Sequence, residues 1–119
     1  MKIPAELFPT IYQISKKVYE KTYTLTDGSK ILADQHGMNV NSARDYINNF
    51  KYLMQGHQFK RTLSAPSMYY FIDQIRKDYG AEQYKKALIA LDLHIHYYES
   101  CHSGELNKLR QILKKHYVR

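Results

Sequence analysis

The sequence predicts an all-α fold, a compact bundle of about six helices forming one domain over residues 1–119. Three observations predict it. Apolar residues recur mostly at spacings of three and four, which is the period of a helix face and not the alternation of a strand. The glycines, with Pro4 and Pro66, fall between the periodic stretches or at their first turns. The chain is 119 residues long and 44% hydrophobic, enough for one core and too little for two independent ones.

The elements follow in order. Ile3, Leu7, Ile11, Ile14 and Val18 make one stripe, so an amphipathic helix is predicted from Pro4 to Lys21, with Pro4 in its first turn. Leu25 and Asp27-Gly28 read as the turn after it. From Ser29 to Leu53 two short helices surround a tight turn at Gly37, with Asn41 or Ser42 capping the second and Gly56 closing it. Residues 57–63, HQFKRTL, are too short and mixed for a helix and read as an extended loop or strand-like arm, with Phe59 as a core anchor. Ser64 caps the next helix and Pro66 lies in its first turn. Met68, Phe71, Ile72 and Ile75 form its buried stripe, and Asp78-Tyr79-Gly80 ends it. A helix from Ala81 to Cys101 is carried by Tyr84, Leu88, Leu91, Ile95 and Tyr98. Ser103-Gly104 breaks it, and Glu105 begins a final helix to Tyr117 with Leu106, Leu109, Ile112 and Leu113 inward.

The net charge of +7 speaks of partners, not of fold, and favours nucleic acid or another anionic surface. The charge is clustered. Arg44, Lys51, Lys60 and Arg61 oppose Asp45, and Lys108, Arg110, Lys114, Lys115 and Arg119 oppose Glu105; these two groups account for the whole excess. Clustering matters because phosphate binding gains from neutralising several phosphates at once. One cysteine, Cys101, excludes an intramolecular disulfide and a multi-cysteine zinc site, and predicts a reduced, cytoplasmic setting. No run approaches signal-peptide or membrane-span length, so no membrane partner is expected.

The stretch from Ser29 to Leu53 carries the functional expectation. Ala33 stands four before Gly37, a spacing that looks like the helix-turn-helix family. The small residue lets two helices cross closely, and the glycine takes the backbone angle that ends the first. The apolar face runs on through Met38, Val40, Ala43, Tyr46 and Ile47, leaving Ser42, Arg44, Asp45, Asn48, Asn49 and Lys51 outward. Arg and Asn suit bidentate contacts with guanine and adenine edges. Arg44, Asn48 and Asn49 are therefore expected to face bases, and Ser42 and Lys51 the flanking phosphates. Lys60, Arg61 and Thr62, in the loop beyond, are expected to clamp the backbone. A rival expectation is a protein-interaction module, in which Tyr-rich faces at Tyr69, Tyr70, Tyr97 and Tyr98 bind another helix or a second copy.

Enzymatic signatures are lacking. His94 and His96 stand two apart and so point to different faces of a helix, and Cys101 and His102 lack two further spaced ligands. His94 is read as a structural histidine. There is no metal-binding helix motif, phosphate loop or nucleophile elbow, so neither catalytic residues, a metal nor a cofactor is expected.

The run NSARDYINNFKYLMQGHQFKRTLSAPSMYYFIDQIRKDYG, followed by ALIALDLHIHYYES and LNKLRQILKKH, resembles the helical N-terminal part of HNH-type, McrA-like restriction endonucleases. The resemblance covers about Asn41 to His116. It implies double-stranded DNA as the ligand, read by sequence or by modification. It also implies the recognition module of a restriction-type nuclease, or a small regulator, with a second copy or an associated nuclease module as further partner. The metal-binding signature of the nuclease itself does not occur in this chain, so the resemblance implies no catalytic residue.

Overall fold

Residues 3–101 and 106–117 are described by a computed structural model, and their regular structure is helical throughout, with no strand among them. Six helices follow a short 3₁₀ turn at Ala5–Leu7: α1 (Phe8–Tyr19), α2 (Leu25–His36), α3 (Val40–Gln55), α4 (Ala65–Tyr79), α5 (Ala81–Cys101) and α6 (Asn107–Tyr117). The chain divides into two compact units, Met1–Lys51 and Tyr52–Arg119, with the division inside α3. No helix among the described residues is long and apolar enough to cross a membrane.

In the first unit, α1 buries Phe8, Ile11, Tyr12 and Ser15. The predicted stripe is thus rotated, and Ile14 and Val18 are only half-buried. The rotation brings large aromatic surface inward: Tyr12 and Tyr19 set their rings edge-on to Phe50, at 5.5 and 5.8 Å. Ser15 tolerates burial because its hydroxyl donates to the Ile11 carbonyl at 2.7 Å.

The predicted turn at Leu25 and Asp27-Gly28 is corrected: these residues are the first turn of α2, capped by Thr24, whose hydroxyl oxygen accepts from the Asp27 N–H at 3.0 Å. Gly28 is buried, and a Cβ there would stand 2.6 Å from Val18 Cγ2 and 3.3 Å from Ile14 Cγ2. Helices α1 and α2 therefore approach closely at Gly28. Ala33, which the sequence placed at the crossing of α2 and α3, is half-buried.

Helix α2 ends where predicted. Gly37 takes φ +72°, the left-handed region, and two backbone bonds close the end: Gly37 N–H to Ala33 O at 3.1 Å and Met38 N–H to Leu32 O at 3.2 Å. Three residues, 37–39, separate α2 from α3. The cap of α3 is Asn39, whose Oδ1 accepts from the N–H groups of Asn41 and Ser42 at 2.8 and 3.2 Å. Asn41 and Ser42, expected as caps, are instead the donors that the cap satisfies.

In the second unit, Gly56 at φ +67° lets His57 N–H reach Tyr52 O at 2.9 Å and ends α3 as expected. Ser64 caps α4, accepting from Ser67 N–H, with Pro66 in the first turn. Helices α4, α5 and α6 pack on one another. Their inward faces include Met68, Phe71, Ile72 and Ile75 from α4, Leu88, Leu91 and Ile95 from α5, and Leu109, Ile112 and Leu113 from α6. Burying each such side chain contributes about 1.5–3 kcal/mol. The predicted break at Ser103-Gly104 and start at Glu105 lie outside the described residues. Glu99 anchors α6: its carboxylate accepts from Leu106 N–H at 3.0 Å and from both terminal nitrogens of Arg110. The Arg110 pairing, with the backbone bond next, lowers the Glu99 carboxyl to about 2.

Candidate nucleic-acid interface

The site expected in α3 begins from its apolar face. Ala43, Tyr46, Ile47, Phe50, Leu53 and Met54 are all buried. Helical periodicity then turns Arg44, Asn48 and Lys51, spaced by four and three, onto one opposite stripe. Arg44 and Asn48 are half-buried and Lys51 is exposed. Asn41, which the sequence reading used as a cap, is exposed three residues before Arg44 and extends the same stripe. Its availability was legible in the sequence once Asn39 is taken as the residue that precedes the helix.

Asn49 is a correction. It is 2% exposed, not outward. It lies three residues after Tyr46 and four before Leu53, both buried, so the apolar face of α3 is wide enough to take it in. Ser42 is half-buried in the first turn, where its N–H is held by Asn39.

The loop between α3 and α4 belongs to the second unit. Phe59 and Leu63 are buried and hold it down, as the core-anchor reading of Phe59 expected. Lys60 and Arg61 stand exposed between them. The Lys60 ammonium lies 5.8 Å from the ring centroid of Tyr97. Thr62 is exposed but has a partner within the chain. Its Oγ1 is 3.0 Å from Nε2 of His94, while Nδ1 of His94 is 2.7 Å from the Phe59 carbonyl. A carbonyl only accepts, so Nδ1 carries the proton; burial lowers the His94 pKa and keeps the ring neutral, so Nε2 accepts from Thr62. A phosphate oxygen needs a donor, and the one proton of Thr62 is already directed to His94. Thr62 ties the loop to His94 in this arrangement.

In α6, Arg110 is engaged by Glu99 and leaves the basic cluster read from the sequence, and Arg119 lies outside the described residues. Lys108, Lys114 and Lys115 are exposed. Of the tyrosines in the rival reading, Tyr69 is 37% exposed, whereas Tyr70, Tyr97 and Tyr98 are half-buried. His94 is fully buried in its structural role, as the sequence indicated, and His96 stands 3.4 Å from Asp92 on the exposed side of α5. Among the described residues, no three His, Cys, Asp or Glu side chains are grouped as metal ligands.

Comparison of the chain with family models, with curated proteins and with solved structures returns no match.

Proposed function

We propose that this protein binds double-stranded DNA, with α2, the Gly37 turn and α3 acting as a helix-turn-helix unit. The observation that carries this reading is the stripe of Arg44, Asn48 and Lys51 on a helix entered through a three-residue turn that opens with Gly37. Arg44 is the fifth of the sixteen residues of α3, in the half of a recognition helix that meets base edges, and Asn48 is one turn further along the same stripe. Arg44 reads a guanine edge, Asn48 an adenine edge, and Lys51 a phosphate. Ser42 contributes a phosphate contact at the start of α3. Lys60 and Arg61 supply a second backbone contact from their own unit. The net charge of +7 supports the electrostatic part. The role follows the resemblance to McrA-like recognition domains: a cytoplasmic, non-catalytic module that reads sequence or base modification, alone, as a pair of copies or beside a nuclease module.

Selection from a random duplex library tests this. The wild type is expected to enrich a short motif, and Arg44→Ala and Asn48→Ala to relax it at separate positions. A folded protein that enriches nothing, in plain or modified DNA, overturns the reading.

A protein-interaction reading is favoured by a different feature from the tyrosines. Ile89 and Leu93, one turn apart on α5, are 48% and 40% exposed. If they mediate association, Leu93→Lys shifts the protein to a smaller species in sedimentation without altering duplex binding.

A further inference from the structure

We propose that the groove between α4 and α6 is a second nucleic-acid site, which takes a single-stranded segment with a base on Tyr69 and phosphates on Lys108 and Lys115. It goes beyond the duplex reading and uses none of the same residues. The groove has a volume of about 460 Å³, and its walls include Pro66 and Tyr69 from α4 and Lys108, Ile112 and Lys115 from α6. A neighbouring hollow lined by Thr62 and Asn107 shares Ala65 and Lys108 with it, so the depression continues toward the loop that carries Lys60 and Arg61. Among the described residues no carboxylate lines either hollow.

The chemistry of these walls selects the occupant. Proteins that hold single strands without reading sequence combine a cationic track for the backbone with aromatic rings on which bases stack. Tyr69 is the exposed ring and the lysines are the track. Lys108 and Lys115 are seven residues apart, about 10 Å along the helix axis, which about three stacked nucleotides cover at ~3.4 Å each. The Lys115 ammonium now lies 5.1 Å from the Tyr69 ring centroid. An arriving base exchanges that cation–π contact for stacking, and its phosphate meets the displaced ammonium. An acidic peptide would neutralise the lysines but bring no planar face to Tyr69.

Anisotropy titration of the full chain with fluorescein-labelled oligothymidylate tests the site. Tyr69→Leu keeps apolar bulk without a planar ring and is expected to weaken binding about tenfold, within the range for one base–aromatic stack. Tyr69→Phe retains binding, and Lys108→Glu with Lys115→Glu abolishes it and its salt dependence. An oligonucleotide carrying 5-iodouracil is expected to photocrosslink to Tyr69. Unchanged affinity of Tyr69→Leu, crosslinks that avoid Tyr69, or polyglutamate competing with the same dependence on Tyr69 would each overturn the proposal. The duplex experiment separates the two ideas. Absent oligothymidylate binding with intact duplex selection defeats this site alone, and the converse defeats the helix-turn-helix reading alone.

Discussion

His94 stacks its imidazole on the ring of Phe59, with centroids 4.2 Å and planes 13° apart, and donates from Nδ1 to the carbonyl of the same residue at 2.7 Å. With Thr62 donating to Nε2, this one side chain fixes residues 59 to 62 and thereby the bases of the Lys60 and Arg61 side chains. Protonation would reverse the Thr62 bond, Nε2 then donating to the hydroxyl oxygen, and would place a charge on a buried ring. Burial is the larger influence and lowers the His94 pKa below its ordinary 6.5; the bond to Phe59 opposes it more weakly. The folded pKa is depressed, so the unfolded chain binds the proton first. Stability is complete above about pH 6.5 and falls as pH drops below it. His94→Ala is expected to cost about 3 kcal/mol near pH 7.5, from the lost ring and the unsatisfied Phe59 carbonyl. Melts of the two proteins should converge as pH falls toward about 5. A gap that stays constant over that range would contradict the neutral, doubly bonded ring.

The bond between Glu99 and Arg110 has its own pH window. The Glu99 carboxyl is lowered from 4.5 to about 2, chiefly by the Arg110 side chain. Its contribution is present above pH 4.5 and is lost as pH falls through about 2. Glu99→Gln is expected to lower the melting temperature at neutral pH, with the difference from wild type shrinking through that interval. A difference that does not shrink would mean that shape alone, and not charge, anchors the start of α6.

Gly28→Ala tests the packing of α1 on α2. Alanine improves helix propensity by about 1 kcal/mol, but its methyl would stand 2.6 Å from Val18 Cγ2. Overpacking of this kind costs about 1–3 kcal/mol, so a net loss of about 1 kcal/mol is expected in denaturant melts. Gly28→Ala combined with Val18→Ala should recover part of it. A single variant more stable than wild type would show that the helices part without cost.

The loop offers a contrast between neighbours. Lys60→Ala with Arg61→Ala is expected to weaken binding to all duplexes alike and to flatten the salt slope by about one unit per lost phosphate contact. Thr62→Val removes the donor to His94, so it should cost about 1 kcal/mol of stability and leave that slope unchanged. Equal effects on the slope would return Thr62 to the phosphate contacts.

The sequence was most legible where a residue acts on its own backbone. Gly37 and Gly56 end helices, Ser64 starts one, and the stripe Met68–Phe71–Ile72–Ile75 is buried as its spacing indicates. Errors arose where a local signal had two solutions. Asp27-Gly28 reads equally as a turn or as a first helical turn, and the Thr24 cap places it in the helix. Asn39, Asn41 and Ser42 are all good caps, and the register of Val40 chooses among them. Asn49 was misplaced because a helix packed over a wide arc draws in its flanks. The pairings of Thr62 with His94 and Glu99 with Arg110 span 32 and 11 residues, beyond the reach of any periodicity. Each engages a side chain, Thr62 or Arg110, that the sequence had assigned to the phosphate clamp or to a basic cluster.

Duplex affinity measured against salt, for the selected sequence and a scrambled one, with wild type and Arg44→Ala, addresses the central claim most directly. The wild type is expected to show log affinity falling linearly with log salt, with several phosphates neutralised at a slope of about −0.9 each. It should prefer the selected duplex. Arg44→Ala should lose about 1–3 kcal/mol of that preference and change the slope by no more than about one unit. A folded wild type that fails to bind either duplex at low salt, or binds both equally and without salt dependence, would contradict duplex recognition by α3.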